Sequence, residues 1–148
     1  MTDSLTHITV TTADALILPL VKRFFHSQGM RSQAAKADQV VIARDTSAAN
    51  SPIIAALRLC PLDNSWLLRS MSVAEKYRRQ RIGLYMLDQI RENLKAKKCY
   101  CFPYAHLESF YSQGEFKIID AQDASDEIQQ LYRQYLDSGK GILIMQIV

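Results

Sequence analysis

The sequence predicts an α/β fold in which one mixed sheet is covered by helices. Three observations carry this. Strand-like and helix-like segments alternate along the whole chain, with no low-complexity linker and no internal repeat. Two adjacent strand candidates are joined by a short polar turn, the mark of an antiparallel hairpin. A long amphipathic helix then stands between two further strand candidates, ready to cover the sheet.

Taken in order, His7–Thr11 alternates apolar and polar residues and reads as a first strand. Asp14–His26 places Leu16, Leu20, Val21 and Phe24 on one helical face, and Gly29 follows as a stop. Gln33–Asp38 adds a short helical turn. Gln39–Asp45 and Ile53–Cys60 form the hairpin around the T-S-A-A-N-S-P turn, and Pro61 to Ser65 makes another turn. Trp66–Val73 is the next strand. The helix Ile82–Lys97 buries Ile82, Met86, Ile90 and Leu94, spaced four apart, with Leu87 flanking. Cys99–Phe102 is a short strand stopped by Pro103. Ala105–Ser112 is a short helix, Phe116–Ile119 a strand, Ser125–Leu136 a helix and Ile142–Val148 a closing strand.

At 148 residues the chain suits one domain, 1–148. Its 48% hydrophobic and 22% charged composition argues against disorder. A net charge of +3 is too small to mark a general nucleic-acid binder. The distribution is more informative. Between Arg69 and Lys98 stand nine Lys and Arg against three acids, so the remainder of the chain is net negative. Charge gathered on one loop and helix suits a compact anionic ligand. No apolar run reaches the roughly 18 residues of a membrane span, and M-T-D-S-L-T-H lacks a secretion-signal pattern. Cys60, Cys99 and Cys101 include no zinc-type spacing, so no metal is expected; reduced thiols point to the cytoplasm.

The chemistry concentrates at residues 77–84, Y-R-R-Q-R-I-G-L. The opening N–H groups of a helix lack internal partners and its dipole is positive there, which makes an anion site. Arg78, Arg79 and Arg81 add full charges, and charge-assisted bonds contribute about 1.5–3 kcal/mol each before desolvation.

These residues resemble the acetyl-CoA loop of the GNAT superfamily of N-acetyltransferases, Gln/Arg-x-x-Gly-x-Gly/Ala between a strand and a long helix. Here Met71-Ser-Val73 ends the strand and Arg78-Arg-Gln-Arg-Ile-Gly83 fills the loop. H-L-E-S-F-Y at 106–111, followed by Phe116, is similar to the family's F-Y-x-x-x-G-F segment, and the last helix and I-L-I-M resemble its closing elements. The resemblance implies a single-domain, mixed, mostly antiparallel sheet of about six to seven strands flanked by helices. It also implies transfer of an acetyl group from acetyl-CoA, the co-substrate, to a primary amine by direct attack in a ternary complex. Arg78, Arg79, Gln80, Arg81, Ile82, Gly83 and Leu84 would hold the pyrophosphate. Met71, Ser72 and Val73 would bond the pantetheine arm as an added strand does, in a splay between that strand and the one starting near Cys99. Tyr111 would assist departure of the CoA thiolate, with Phe110 in the core. Homodimers are common in the family; neither nucleic acid nor membrane is an expected partner.

Two positions depart from the pattern. Arg81 stands at the first loop glycine, where it fits a helical backbone, and Glu115 at the glycine of the second motif, with Gly114 one place earlier. The strand Ser65–Val73 carries no Asp or Glu to act as base. Glu108 and His106 are candidates for that role, and each also reads as a helix-start or surface residue. Cys60 reads as a nucleophile or a buried strand residue, and Trp66 and Arg69 as acceptor-side or sheet-covering residues. A non-catalytic acyl-CoA sensor on the same fold is the alternative.

Overall fold

A computed structural model describes residues 5–30 and 37–147. Its seven strands are β1 (Ile8–Thr12), β2 (Gln39–Asp45), β3 (Ile53–Leu62), β4 (Ser65–Val73), β5 (Cys99–Cys101), β6 (Phe116–Ile118) and β7 (Met145–Ile147). They form a sheet of order β1-β2-β3-β4-β5-β7-β6. The β4–β5 pair is parallel, while β1–β2, β2–β3, β5–β7 and β6–β7 are antiparallel. The helices are α1 (Leu18–Ser27), α2 (Ile82–Ala96), α3 (Glu108–Gln113) and α4 (Asp126–Asp137). The mixed, mostly antiparallel sheet flanked by helices is thus the expected one. The turn predicted over Gln33–Asp38 falls mostly outside the described residues.

The chain divides into two compact units, Met1–Leu59 with Ser70–Gln89, and Cys60–Arg69 with Ile90–Val148. In the first, Val21, Phe24 and Phe25 of α1 pack with Val40 and Ile42 of β2 and Ala56 of β3. A fully buried side chain of this size contributes about 1.5–3 kcal/mol. In the second, Ile128 of α4 and Ala124 before it pack with Leu67, Tyr100 and Ile144. Along α2, Ile82, Met86, Leu87, Ile90 and Leu94 are buried, the stripe that the four-residue spacing required.

Two expectations are corrected. The segment after Asp14 is a 3-10 turn over Ala15–Ile17, and only from Leu18 does the α-helix run. Asp14 caps that turn by accepting from the Leu16 N–H at 3.0 Å. The change of period rotates the apolar face. Leu16 and Leu20 point outward at 88% and 45% exposure, and Phe25 takes the core place beside Val21 and Phe24. Pro61 lies within β3 rather than in the turn, exposed and near the strand's end, where a missing N–H is tolerated. The turn itself is Asp63–Asn64, with Asp63 in the left-handed region at φ 57°.

Candidate active site

The loop at the mouth of α2 begins where β4 changes character. Among the described residues, pairing with β5 runs from Trp66–Cys99 to Leu68–Cys101. Two residues later Ser70 takes φ 58°, an unusual value for a serine inside a strand. Its hydroxyl accepts from Arg58 Nε at 3.1 Å, and Arg58 in turn pairs with Asp38 at 2.8 Å. Met71, Ser72 and Val73 follow, half-buried.

The Ala74 N–H donates to the Ile54 carbonyl at 2.8 Å, fixing the exit from the strand. A 3-10 turn at Glu75–Tyr77 then aims the Tyr77 hydroxyl at Asp45 Oδ2, 2.6 Å away. Asp45 Oδ1 accepts from both the N–H and the hydroxyl of Ser47, at 2.9 and 2.6 Å. The Ser47 hydroxyl, then Tyr77, hold the Asp45 carboxyl down at about 2, and the same bond raises the Tyr77 pKa.

Of the loop residues, Arg78 is engaged with its own unit. Its Nε donates to the Val73 carbonyl at 2.8 Å and its Nη2 to Gln28 Oε1 at 3.3 Å. Gln80 is exposed and donates its amide to the Lys76 carbonyl at 3.2 Å. Arg79 and Arg81 are exposed, and both are left-handed, at φ 65° and 64°. The expectation of a helical backbone at Arg81 is therefore corrected: the residue keeps the conformation for which glycine is usually chosen. Gln80 and Ile82 are not among the positive-φ residues, so handedness alternates from 79 to 82. Backbone anion sites are built from such changes of handedness, in which successive N–H groups turn toward one side. The Arg81 carbonyl accepts from the Tyr85 N–H at 2.9 Å, so α2 starts directly from this turn. Ile82 and Gly83 are buried and Leu84 half-buried in its first turn. A cavity of about 400 Å³ is lined by Glu75, Arg78 and Arg79.

In the second unit, Tyr111 of α3 is 7% exposed and Phe110 only half-buried, the reverse of the expected assignment. Adjacent helical residues point about 100° apart, which says that one is inward without saying which. Tyr111 meets Phe110 and Phe116 edge-on, with centroids 5.0 and 5.7 Å away. Burial, with lesser effects from Cys101 and Cys99, pushes its hydroxyl well above the ordinary tyrosine value, so it stays protonated. Burial also lifts the Cys99 thiol to about 12. Among the other candidates, Glu108 is exposed and exposed His106 stacks on Tyr104. Arg69 bonds the Tyr135 hydroxyl, and Lys97 lies 4.2 Å from the centroid of the Trp66 ring. Half-buried Cys60 packs against the apolar cluster of Leu67 and Tyr100. The Tyr77–Asp45 link and the left-handed Ser70 carry no local sequence signal, because the partners lie far apart in the chain.

The structure superposes on an acetyltransferase of the GNAT family from Staphylococcus aureus with a TM-score of 0.68, covering 95% of this chain and 98% of that one at 16% identity. The fold is that of the GNAT acetyltransferases. A Mycobacterium tuberculosis protein in complex with CoA matches with a TM-score of 0.72 over 95% and 98% of the two chains, at 12% identity. A GNAT acetyltransferase from Elizabethkingia anophelis with acetyl-CoA bound matches at 0.59 over 96% and 98%, at 17% identity. No family model and no curated protein matches the sequence. Within the GNAT fold, the 78–84 loop is the turn from β4 into α2, and Tyr111 lies on the helix before β6. Among the described residues, no helix is long and apolar enough to cross a membrane.

Proposed function

We propose that the chain works as one GNAT-type domain, a cytoplasmic N-acetyltransferase that moves an acetyl group from acetyl-CoA to a primary amine. The supporting observation is the main chain at 79–82. Its alternating handedness, two exposed arginines and the start of α2 make one anion site, suited to a pyrophosphate. The end of β4 supports the same reading. Beyond Leu68 the strand has no β5 partner among the described residues, leaving the Met71–Val73 main chain to bond the amides of a pantetheine arm.

In this reading the backbone N–H groups of residues 79–84 and the side chains of Arg79 and Arg81 hold the pyrophosphate. Arg78 is anchored to the strand end and Gln28 by two of its N–H groups and offers the remaining ones to the ligand. The neutral amine attacks the thioester carbonyl directly, the C–S bond breaks, the CoA sulfur leaves as a thiolate, and the proton lost from the nitrogen passes to solvent water. Tyr111 donates a hydrogen bond to that sulfur. A free thiol has a reference pKa near 8.5, while the Tyr111 hydroxyl is raised above its usual value. The tyrosine therefore stabilises the thiolate as a donor more than it surrenders a proton, and one donor aimed at developing negative charge is worth about 10²–10³ in rate.

Because Tyr111 is 7% exposed, a non-catalytic acyl-CoA sensor is the second reading. One experiment separates them. Acetyl-CoA at millimolar concentration raises the melting temperature by mass action, and Arg79→Ala diminishes the shift. Thiol release is then followed across a panel of amines with the wild type and Tyr111→Phe. Release that falls in Tyr111→Phe supports the enzyme; binding without release for any amine supports the sensor. No thermal shift at all sinks both.

A further inference from the structure

A second cavity, of about 620 Å³, opens between α1 and the β2–β3 hairpin, all within the first compact unit. Its volume falls within the usual range for small-molecule sites. Leu20, Phe24 and Ile53 give it an apolar wall, and Arg23 and Arg44 stand among its lining residues. Leu20 is 45% exposed although it is a large aliphatic side chain, an apolar surface available to a ligand.

Charge and chemistry narrow the class of that ligand. Among the described residues, no acidic side chain lines the cavity. The nearest acid in sequence, Asp45, is occupied by Ser47 and Tyr77. Arg44 Nη1 donates to the Ser51 carbonyl at 2.7 Å, which fixes the half-buried guanidinium and leaves its other N–H groups to donate elsewhere. A planar guanidinium held in this way suits a carboxylate or phosphate.

We infer that this cavity binds a small amphiphilic oxyanion, its head on Arg23 and Arg44 and its hydrocarbon chain along Leu20, Phe24 and Ile53. The site is independent of the acetyl-CoA reading and is tested on the protein without CoA. Octanoate, octyl phosphate and octylamine are titrated separately by calorimetry. The two anions distinguish a carboxylate head from a phosphate head, and binding of either supports the site. The expected dissociation constant is about 1 mM or tighter, with octylamine at least tenfold weaker, roughly the effect of one lost charge-assisted bond. Arg23→Ala, at an exposed position, weakens the anion about tenfold without loss of folding, and Leu20→Ser weakens all three probes. Equal binding of octylamine and octanoate, anion binding unchanged in both Arg23→Ala and Arg44→Ala, or no binding by either anion overturns the inference.

Discussion

Arg81 and Glu115 are alike in backbone and unlike in surroundings. Both stand where the GNAT pattern has glycine, and both take the left-handed conformation, at φ 64° and 70°. A non-glycine residue held there carries a cost of order 1–3 kcal/mol. At Glu115 the chain offsets part of it. Arg91 Nε lies 3.4 Å and Lys95 Nζ 3.9 Å from its carboxylate, and its N–H donates to the Ser112 carbonyl. Arg81 is exposed, and its side chain makes no hydrogen bond or ion pair among the described residues. One strained residue is compensated from within the protein. The other is a strained cation directed at solvent beside a helix start, and an anion is the partner that would compensate it.

The largest effect expected from this contrast is on ligand binding. Arg81→Glu keeps a side chain at a left-handed position and reverses its charge. Acetyl-CoA affinity should fall at least tenfold, about 1.4 kcal/mol, while Glu115→Gln leaves it unchanged. Thermal-shift titration of both variants measures this, and an unaltered titration for Arg81→Glu would remove the loop from the binding site.

The next effect concerns how the loop before Arg81 is anchored. The Asp45 carboxyl titrates near 2 in the folded chain instead of its ordinary 3.8. A depressed carboxyl contributes stability that is complete above its unfolded value and is lost as pH falls through the folded one. Melting temperature should therefore drop as pH falls from about 3.8 toward 2, and Asp45→Asn should flatten that part of the profile. Equal slopes for both proteins would show that the Ser47 and Tyr77 bonds contribute little.

The contrast also marks what could be read from the sequence. The β-hairpin and α2 follow from local periodicity, and both begin where expected. Leu16 and Leu20 were misplaced because three residues of 3-10 turn changed the period before α1 began. The inward turn of Tyr111 rather than Phe110 depends on packing against Phe116, which no local pattern encodes. Arg81 shows the reverse difficulty. Its position in the motif was plain, yet an arginine there argued for a right-handed backbone, and the surrounding turn overrode that preference.

A smaller effect is expected from Arg81→Gly in the absence of ligand. Relief of left-handed strain competes with the larger unfolded-state entropy of glycine, roughly 0.5–1 kcal/mol. The net expectation is a protein more stable by about 0.5 kcal/mol, seen as a rise of about 1–2 °C in melting temperature.

The smallest effect belongs to Glu115→Gly. It relieves the same backbone cost and pays the same glycine entropy, but it also removes the contacts with Arg91 and Lys95. The Glu115 side chain is 48% exposed, so solvent screens both contacts; such pairs contribute about 0–1 kcal/mol. Gain and loss should cancel to within about 0.5 kcal/mol, leaving the melting temperature nearly unmoved. Glu115→Ala supplies the control, because alanine keeps the left-handed cost and loses both ion pairs, and should be about 0.5 kcal/mol less stable than the glycine variant. If Glu115→Gly instead stabilised as much as Arg81→Gly, the ion pairs would contribute nothing, and the two left-handed residues would differ only in what lies outside the protein.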